Sequence, residues 1–163
     1  MKKLNIGLWG GIAIAALMLL CIILFSMIQY QFKGAGMTLG KYDGFTVAFG
    51  KDNYEGYALF CLPFFLAIIA LVVSALAAFK VVKVNNSIMF GVVALCALIS
   101  FIVYLVTYFH ILDKYGRGSV MDLTKNIEWG FSFWCAFVFY IISFVGACYL
   151  AIATLATTKK RKR

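Results

Sequence analysis

Residues 87–109, SIMFGVVALCALISFIVYLVTYF, contain no charged side chain and decide the fold class. A helix rises about 1.5 Å per residue, so roughly 20 apolar residues cross a hydrocarbon layer about 30 Å thick. Three further runs have similar length and character, at 5–28, 57–79 and 131–156. None of the four contains Asp, Glu, Lys or Arg. The sequence therefore predicts an all-α membrane protein built as a bundle of four transmembrane helices.

The composition agrees with this class. Hydrophobic residues occupy 64% of the 163 positions and charged residues 13%, and the mean hydropathy is +0.97. Ordinary soluble domains carry about 25% charged residues, so the chain is too apolar for one. The first run exceeds the roughly 7–15 residues of a signal-peptide core and no small-x-small cleavage site follows it, so we expect a retained helix. All four runs then belong to a single membrane domain, residues 1–163.

Basic residues are distributed unevenly around the four runs. The N-terminus, the 80–86 link and the tail 157–163 carry nine of the 15 basic residues and no acidic residue, whereas loops 29–56 and 110–130 carry six of each sign. Short segments rich in Lys and Arg stay in the cytoplasm. We therefore expect both termini inside and both larger loops outside, in a bacterial-type plasma membrane. The tail is expected to contact anionic lipid headgroups, at roughly 1 kcal/mol per basic residue, rather than nucleic acid.

The first outer loop contains the segment KYDGFTVAFG, residues 41–50. Asp43-Gly44 between alternating residues is a strong signal for a two-residue β-hairpin turn, because a type I′ turn needs positive φ at both central positions. Such a turn pairs Tyr42 with Phe45 and predicts a small extracellular β-hairpin. Residues two apart on a strand share a face. The predicted interaction surface consists of Tyr42, Phe45, Val47 and Phe49.

Small residues recur at four-residue spacing in three of the runs. Close van der Waals approach favours helix association in lipid, and it needs Gly, Ala or Ser on the touching face. We expect these stripes to pack within one four-helix bundle, with packing against another protein as the alternative. A shift of 73 residues also places Lys41-Tyr42 on Lys114-Tyr115, which leaves open a duplicated two-helix hairpin. The stripes are Gly7, Gly11 and Ala15; Ala70, Ser74 and Ala78; and Ser143, Ala147 and Ala151.

The sequence offers no constellation typical of catalysis, of a metal site or of a cofactor site. Zinc sites use three or four ligands, and the only histidine, His110, has a single acid, Asp113, three residues on. We interpret it as an interfacial histidine. Five cysteines lie in the runs without C-x-x-C spacing. Cys61 and Cys135 can meet near the outer face, although small packing thiols are the expectation, and an enzyme is not predicted.

In topology the chain resembles tetraspan proteins such as the claudin and MARVEL groups. The claudin signature is absent, because Trp9 lies in a predicted helix and the first outer loop has no cysteine pair. The chain also resembles uncharacterised small bacterial four-helix membrane proteins with an outer G-F-x-x-x-F-G segment, here Gly44-Phe45 to Phe49-Gly50. This resemblance implies an architecture and no activity.

These observations favour a small integral membrane interaction or accessory protein. Its expected partner is another membrane protein, a second copy of the chain or lipid. The alternative is a subunit of an oligomeric transporter or channel, which would need polar faces assembled by oligomerisation. Transporters commonly place ionisable residues inside their helices, and the four runs carry no acidic or basic side chain.

Overall fold

The computed structural model describes residues 6–34, 37–51, 55–81, 84–116 and 127–161. Residues 1–5, most of the second loop (117–126) and Lys162-Arg163 of the basic tail lie outside the described residues. The prediction of four apolar helices is confirmed: four helices are long and apolar enough to span a membrane. They are α1 (Ile6–Phe25), α3 (Leu62–Phe79), α4 (Asn86–Gly116) and α5 (Phe131–Arg161).

The four helices form a ring in which each packs mainly on two neighbours. α1 packs on α3 and α5, and α4 packs on the same two helices from the other side. A one-turn 3₁₀ helix, Ala58–Cys61, leads into α3, and Pro63 lies in the first turn of α3, where a missing N–H costs nothing. α3 ends at Phe79 and is followed by its C-cap Lys80, whose φ is 53°. The Asn86 side chain at the start of α4 donates to the Ala77 carbonyl at 3.1 Å and so links the start of α4 to the end of α3.

The stripes of small residues face other helices of the same bundle. A Cβ on Gly11 would lie 2.8 Å from the Ala78 Cβ and 3.2 Å from the Ser74 carbonyl oxygen, so α1 and α3 approach almost backbone to backbone. The Ser87 hydroxyl donates to the Ala151 carbonyl at 2.7 Å and joins α4 to α5. Six of the nine stripe residues are buried, namely Gly11, Ala70, Ser74, Ala78, Ser143 and Ala147, and Gly7, Ala15 and Ala151 are partly buried.

A small sheet layer covers one end of the bundle. It consists of β1 (Ile28–Gly34), β2 (Met37–Asp43), β3 (Ile127–Trp129) and the short helix α2 (Gly44–Phe49). The strands are antiparallel in the order β2-β1-β3. β3 comes from the second loop, so the layer joins both predicted outer loops. We call this end of the bundle, where α1 ends and α3 begins, the sheet end.

The predicted turn at Asp43-Gly44 is wrong, although two antiparallel strands do lie in the first loop. β2 pairs with the preceding strand β1, and residues 44–49 are helical. The Asp43 carboxylate accepts a hydrogen bond from the Thr46 amide at 2.7 Å, which is the N-cap of a helix. The same Asp-Gly pair thus starts a helix, because β1 already supplies the partner strand.

Candidate interaction surface

The short helix α2 has one buried and one exposed face. Val47 is fully buried, whereas Phe45 and Phe49, four residues apart, are 40% and 66% exposed. The Phe45 ring lies 5.1 Å from the ring of Phe25 and 5.2 Å from that of Phe64. Of the predicted surface, Val47 is therefore unavailable to a partner, and the two phenylalanines share a helical face rather than a strand face.

Hydrogen bonds fix both ends of α2. Asp43 caps the start, and the Gly50 amide donates to the Thr46 carbonyl at 2.9 Å at the end. Gly50 has φ 81° and ψ 167°, a conformation that is essentially restricted to glycine. The Tyr57 amide donates to the Val47 carbonyl at 2.7 Å and ties the helix to the segment before α3. α2 is thus held from both sides.

An aromatic cluster joins the sheet to the bundle. Tyr30 of β1 is fully buried, and its ring stacks on Tyr42 at 5.0 Å and lies 5.5 Å from Trp129. Trp129 in turn lies 4.7 Å from Tyr108 of α4 and 4.5 Å from Phe133 of α5. Tyr42, which the sequence assigned to an interaction surface, is therefore half-buried and supports the sheet.

β1 is also anchored by polar contacts to the bundle. The buried amide of Gln29 donates at 2.7 Å to the Leu24 carbonyl near the end of α1, which also accepts from the Met27 amide at 3.1 Å. The Ser132 hydroxyl at the start of α5 donates to the Ile28 carbonyl, and the Gly130 amide donates to the Gln29 carbonyl at 2.7 Å. The central strand is fixed to two helices.

Two exposed ion pairs lie at the sheet end, one between β1 and β3 and one between the segment before α3 and the end of α4. Glu128 of β3 accepts from Lys33 at 2.8 Å and from Gln31 at 3.0 Å, and these hydrogen bonds lower the pKa of its carboxyl. Glu55 pairs with Lys114 at 2.8 Å, and the hydrogen bond from Lys114 lowers the pKa of Glu55. Solvent-exposed pairs contribute little to stability, and only the pair of Lys33 with Glu128 joins two strands.

β2 forms one edge of the sheet. Among the described residues, β1 is its only partner, and no strand pairs with its other edge. Thr38 and Lys41 of β2 are exposed. The strand runs seven residues, from Met37 to Asp43, which is longer than the three-residue edge strand β3 on the opposite side. The sequence pattern does not reveal this edge, because the Asp43-Gly44 pair predicts the partner strand after Gly44 and the structure has it before Asp43.

His110 lies near the sheet end of α4, and its interpretation as an interfacial histidine stays a prediction. Its ring stacks on Tyr57 at 4.3 Å, with 17° between the ring planes. Next to it, an open groove of about 630 Å³ is lined by Val106, Phe109, His110, Leu112 and Asp113. The described residues contain no group of three or more His, Cys, Asp or Glu placed to hold a metal ion.

Hydroxyl groups lie along the buried face of α4. Ser100, Tyr104 and Thr107 are four and three residues apart and all fully buried. The Ser100 hydroxyl donates to the carbonyl four residues earlier at 2.9 Å, whereas those of Tyr104 and Thr107 have no hydrogen-bond partner within the described part of the chain. Tyr140 of α5, 5.5 Å from Tyr104 ring to ring, donates to the Pro63 carbonyl at 3.1 Å.

Cys61 and Cys135 do not form a disulfide. Both thiols are free and partly buried, as is that of Cys148. Cys21 and Cys96 are free and buried. The positions of Cys61 and Cys135 in the sequence allow the two thiols to meet, but no disulfide joins them in this structure.

Comparisons with known proteins return no match: no protein-family model, no curated protein and no solved structure is similar to this chain.

Proposed function

We propose that the protein is an integral membrane interaction protein whose sheet layer binds an extended segment of another membrane protein along the free edge of β2. The observation that supports this proposal is that the seven-residue strand β2 lies at the edge of the sheet and has no second partner strand among the described residues. An exposed edge presents unpaired N–H and C=O groups and is a template for strand addition. Main-chain hydrogen bonds would supply affinity, and the side chains of the added strand would supply specificity.

The rigid attachment of the sheet supports this proposal. β1 is held by Gln29 and by the start of α5, and the aromatic cluster around Tyr30 fills the space beneath the strands. A surface that is already ordered loses less conformational entropy on binding, which raises affinity for a given contact area. The edge of β2 is therefore presented in a fixed position.

A photo-crosslinking experiment tests the proposal. The amino acid p-benzoylphenylalanine is placed at Thr38 on the edge of β2, and in a second variant at Glu128, which is exposed on the opposite edge strand. We expect a protein adduct from Thr38 in intact cells and much less from Glu128. Equal adducts at both positions, or only lipid adducts, would contradict the proposal. An adduct of twice the chain mass would identify a second copy as the partner.

We also propose that the sheet end faces outward and that both termini are cytoplasmic, in a bacterial-type plasma membrane. The support is the charge distribution: nine basic residues and no acid flank the other end, including the basic tail. Cysteines introduced at Lys41 and at Lys160, each in a chain without other thiols, should react oppositely with an impermeant thiol reagent. Labelling at position 160 in intact cells would refute this orientation.

The second candidate function is a subunit of an oligomeric transporter or channel. The observation that favours it is the line of buried hydroxyls from Ser100 to Thr107 on α4, two of which have no partner in the described part of the bundle. Such groups can bind a small polar solute. In proteoliposomes, a solute flux that falls in Tyr104→Phe would favour this function over the first, and its absence would count against it.

A further inference from the structure

We propose that α2 is an interfacial helix: Phe45 and Phe49 lie in the lipid leaflet at the sheet end, and Lys41 and Lys51 bind the phosphates of anionic lipid headgroups. Lys41 belongs to β2 and Lys51 follows α2. Contact of α2 with lipid needs no strand on the edge of β2, so the inference does not depend on the proposed function. It assigns lipid, and not a protein, to the exposed face of α2.

The height of α2 in the bundle is the first argument. Phe25 is the last residue of α1 and Phe64 lies in the first turn of α3. The Phe45 ring is 5.1 Å from the first ring and 5.2 Å from the second. The exposed face of α2 is therefore level with the ends of two apolar spans, where hydrocarbon gives way to headgroups.

The second argument is that the aromatic face continues the apolar surface of α3. Every exposed position of α3 is apolar, and Leu62 and Phe65 are the ones nearest its start. The Phe64 ring touches both Phe45 and Phe65, at 5.2 Å and 5.6 Å between ring centroids. If the span faces lipid, the leaflet reaches α2 without crossing a polar surface, so the occupant of the face is lipid.

The charges beside α2 are the third argument. Lys41 precedes the helix, Lys51 follows it, and both are exposed without an ion pair among the described residues. An apolar face bordered by lysines is typical of helices that lie in the membrane interface, since a lysine stem covers apolar surface while its ammonium reaches the phosphate. The amide end of α2 is already capped by Asp43, so the attraction for anions comes from the two ammonium groups.

Fluorescence quenching in lipid nanodiscs tests this placement. Bimane is attached to Phe49→Cys in a chain whose partly buried thiols are replaced by alanine, and control labels are placed at Thr38→Cys and Ile152→Cys. Phe49 and Ile152 are 66% and 71% exposed, so neither change removes much internal packing. Circular dichroism checks that each labelled chain keeps the helical content of the parent.

We expect the label at Phe49 to be quenched by lipids with a spin label near the headgroup, more than by lipids labelled near the chain end, and hardly by aqueous iodide. The label at Thr38 should respond mainly to iodide, and the label at Ile152 should respond to spin-labelled lipid. Iodide quenching at Phe49 equal to that at Thr38 would overturn the inference. Shielding from both quenchers would also overturn it, because protein would then cover the face.

The role of the lysines has its own readout in the same experiment. Replacing half of the phosphatidylcholine by phosphatidylglycerol should increase lipid quenching at Phe49 in the parent chain. In Lys41→Gln/Lys51→Gln the increase should disappear, while the response of the label at Ile152 stays unchanged. An equal increase in the double variant would show that these ammonium groups do not bind anionic headgroups.

Discussion

Substitutions at position 44 distinguish two physical reasons for a glycine there: close packing against α1, and a turn that needs positive φ. In the structure Gly44 is the first residue of α2, and a Cβ added there would collide with the carbonyl oxygen of Phe25 and lie 2.7 Å from its ring Cδ1 atom. Phe25 is fully buried, and its ring is stacked 5.3 Å from Phe60. Because neither the backbone nor the ring has room to move, α2 must shift. Overpacking of this kind costs about 1–3 kcal/mol.

The alternative explanation is a type I′ turn, in which glycine would be needed for its positive φ. Asn is readily accepted in such turns, so Gly44→Asn would then be almost silent. In a helix that closely approaches α1, Asn collides as Ala does. We therefore expect Gly44→Ala and Gly44→Asn each to lower the free energy of unfolding by about 1–3 kcal/mol.

Unfolding by SDS in dodecylmaltoside micelles, followed by circular dichroism, measures this loss. Thr46→Val is the matched control within α2, since only the backbone amide of Thr46 is used by the Asp43 cap. It should stay close to the parent. A Gly44→Asn variant as stable as the parent, together with a destabilised Gly44→Ala variant, would refute the close approach and restore the turn.

Three further changes probe the bundle and the sheet. Gly11→Ala should destabilise by about 1–3 kcal/mol through overpacking against α3, whereas Gly91→Ala, whose Cβ meets nothing within 4 Å, should be neutral or stabilising in the same SDS titration. Tyr140→Phe removes the hydrogen bond to Pro63 and should cost about 0.6 kcal/mol, the average for such bonds in membranes. The lowered pKa of Glu128 means that its contribution is present above its ordinary pKa and is lost as the pH falls through the folded value. Melting curves should therefore show a smaller loss of stability at low pH in Glu128→Gln than in the parent.

The four helices were predictable because length and apolarity alone decide whether a segment suits a membrane. Residues 87–109 lie wholly within α4. The helix then continues to Gly116 through polar residues, which hydropathy does not detect. The bundle contacts of Gly11, Ser74 and Ala147 were also predictable, because only small residues allow such an approach.

The sheet layer was predictable only in part. Phe45 to Phe49 fits strand alternation and also the four-residue spacing of a helix, and short apolar runs do not distinguish the two. Contacts with residues that are distant in the sequence decide between strand and helix. β1 occupies the pairing edge of β2, and β3, which lies about a hundred residues later, pairs with Tyr30, Gln31 and Phe32. No local pattern carries that information.

The grouping of the buried hydroxyls on α4 also depends on contacts between residues that are distant in the sequence. Ser100, Tyr104 and Thr107 follow helical spacing in the sequence, yet scattered hydroxyls gave no reason to group them. The structure groups them because all three face the ring of helices and not the surface. Likewise, the exposure of Phe49 and the burial of Val47 follow from the helical state of α2.

The exposed surface of the spans limits where specific recognition can occur. In α4, every exposed position from Ile88 to Phe109 is Ile, Val, Leu or Phe, and the exposed positions of α3 are equally apolar. Lipid tails solvate such side chains as well as a protein does, so a partner helix gains little unless small residues permit close approach. The small-residue contacts at Gly11 and Ser74 are already made within the bundle. The exposed positions of α3 and α4 therefore offer a partner no directional contact, whereas the edge of β2 presents backbone N–H and C=O groups that can form hydrogen bonds.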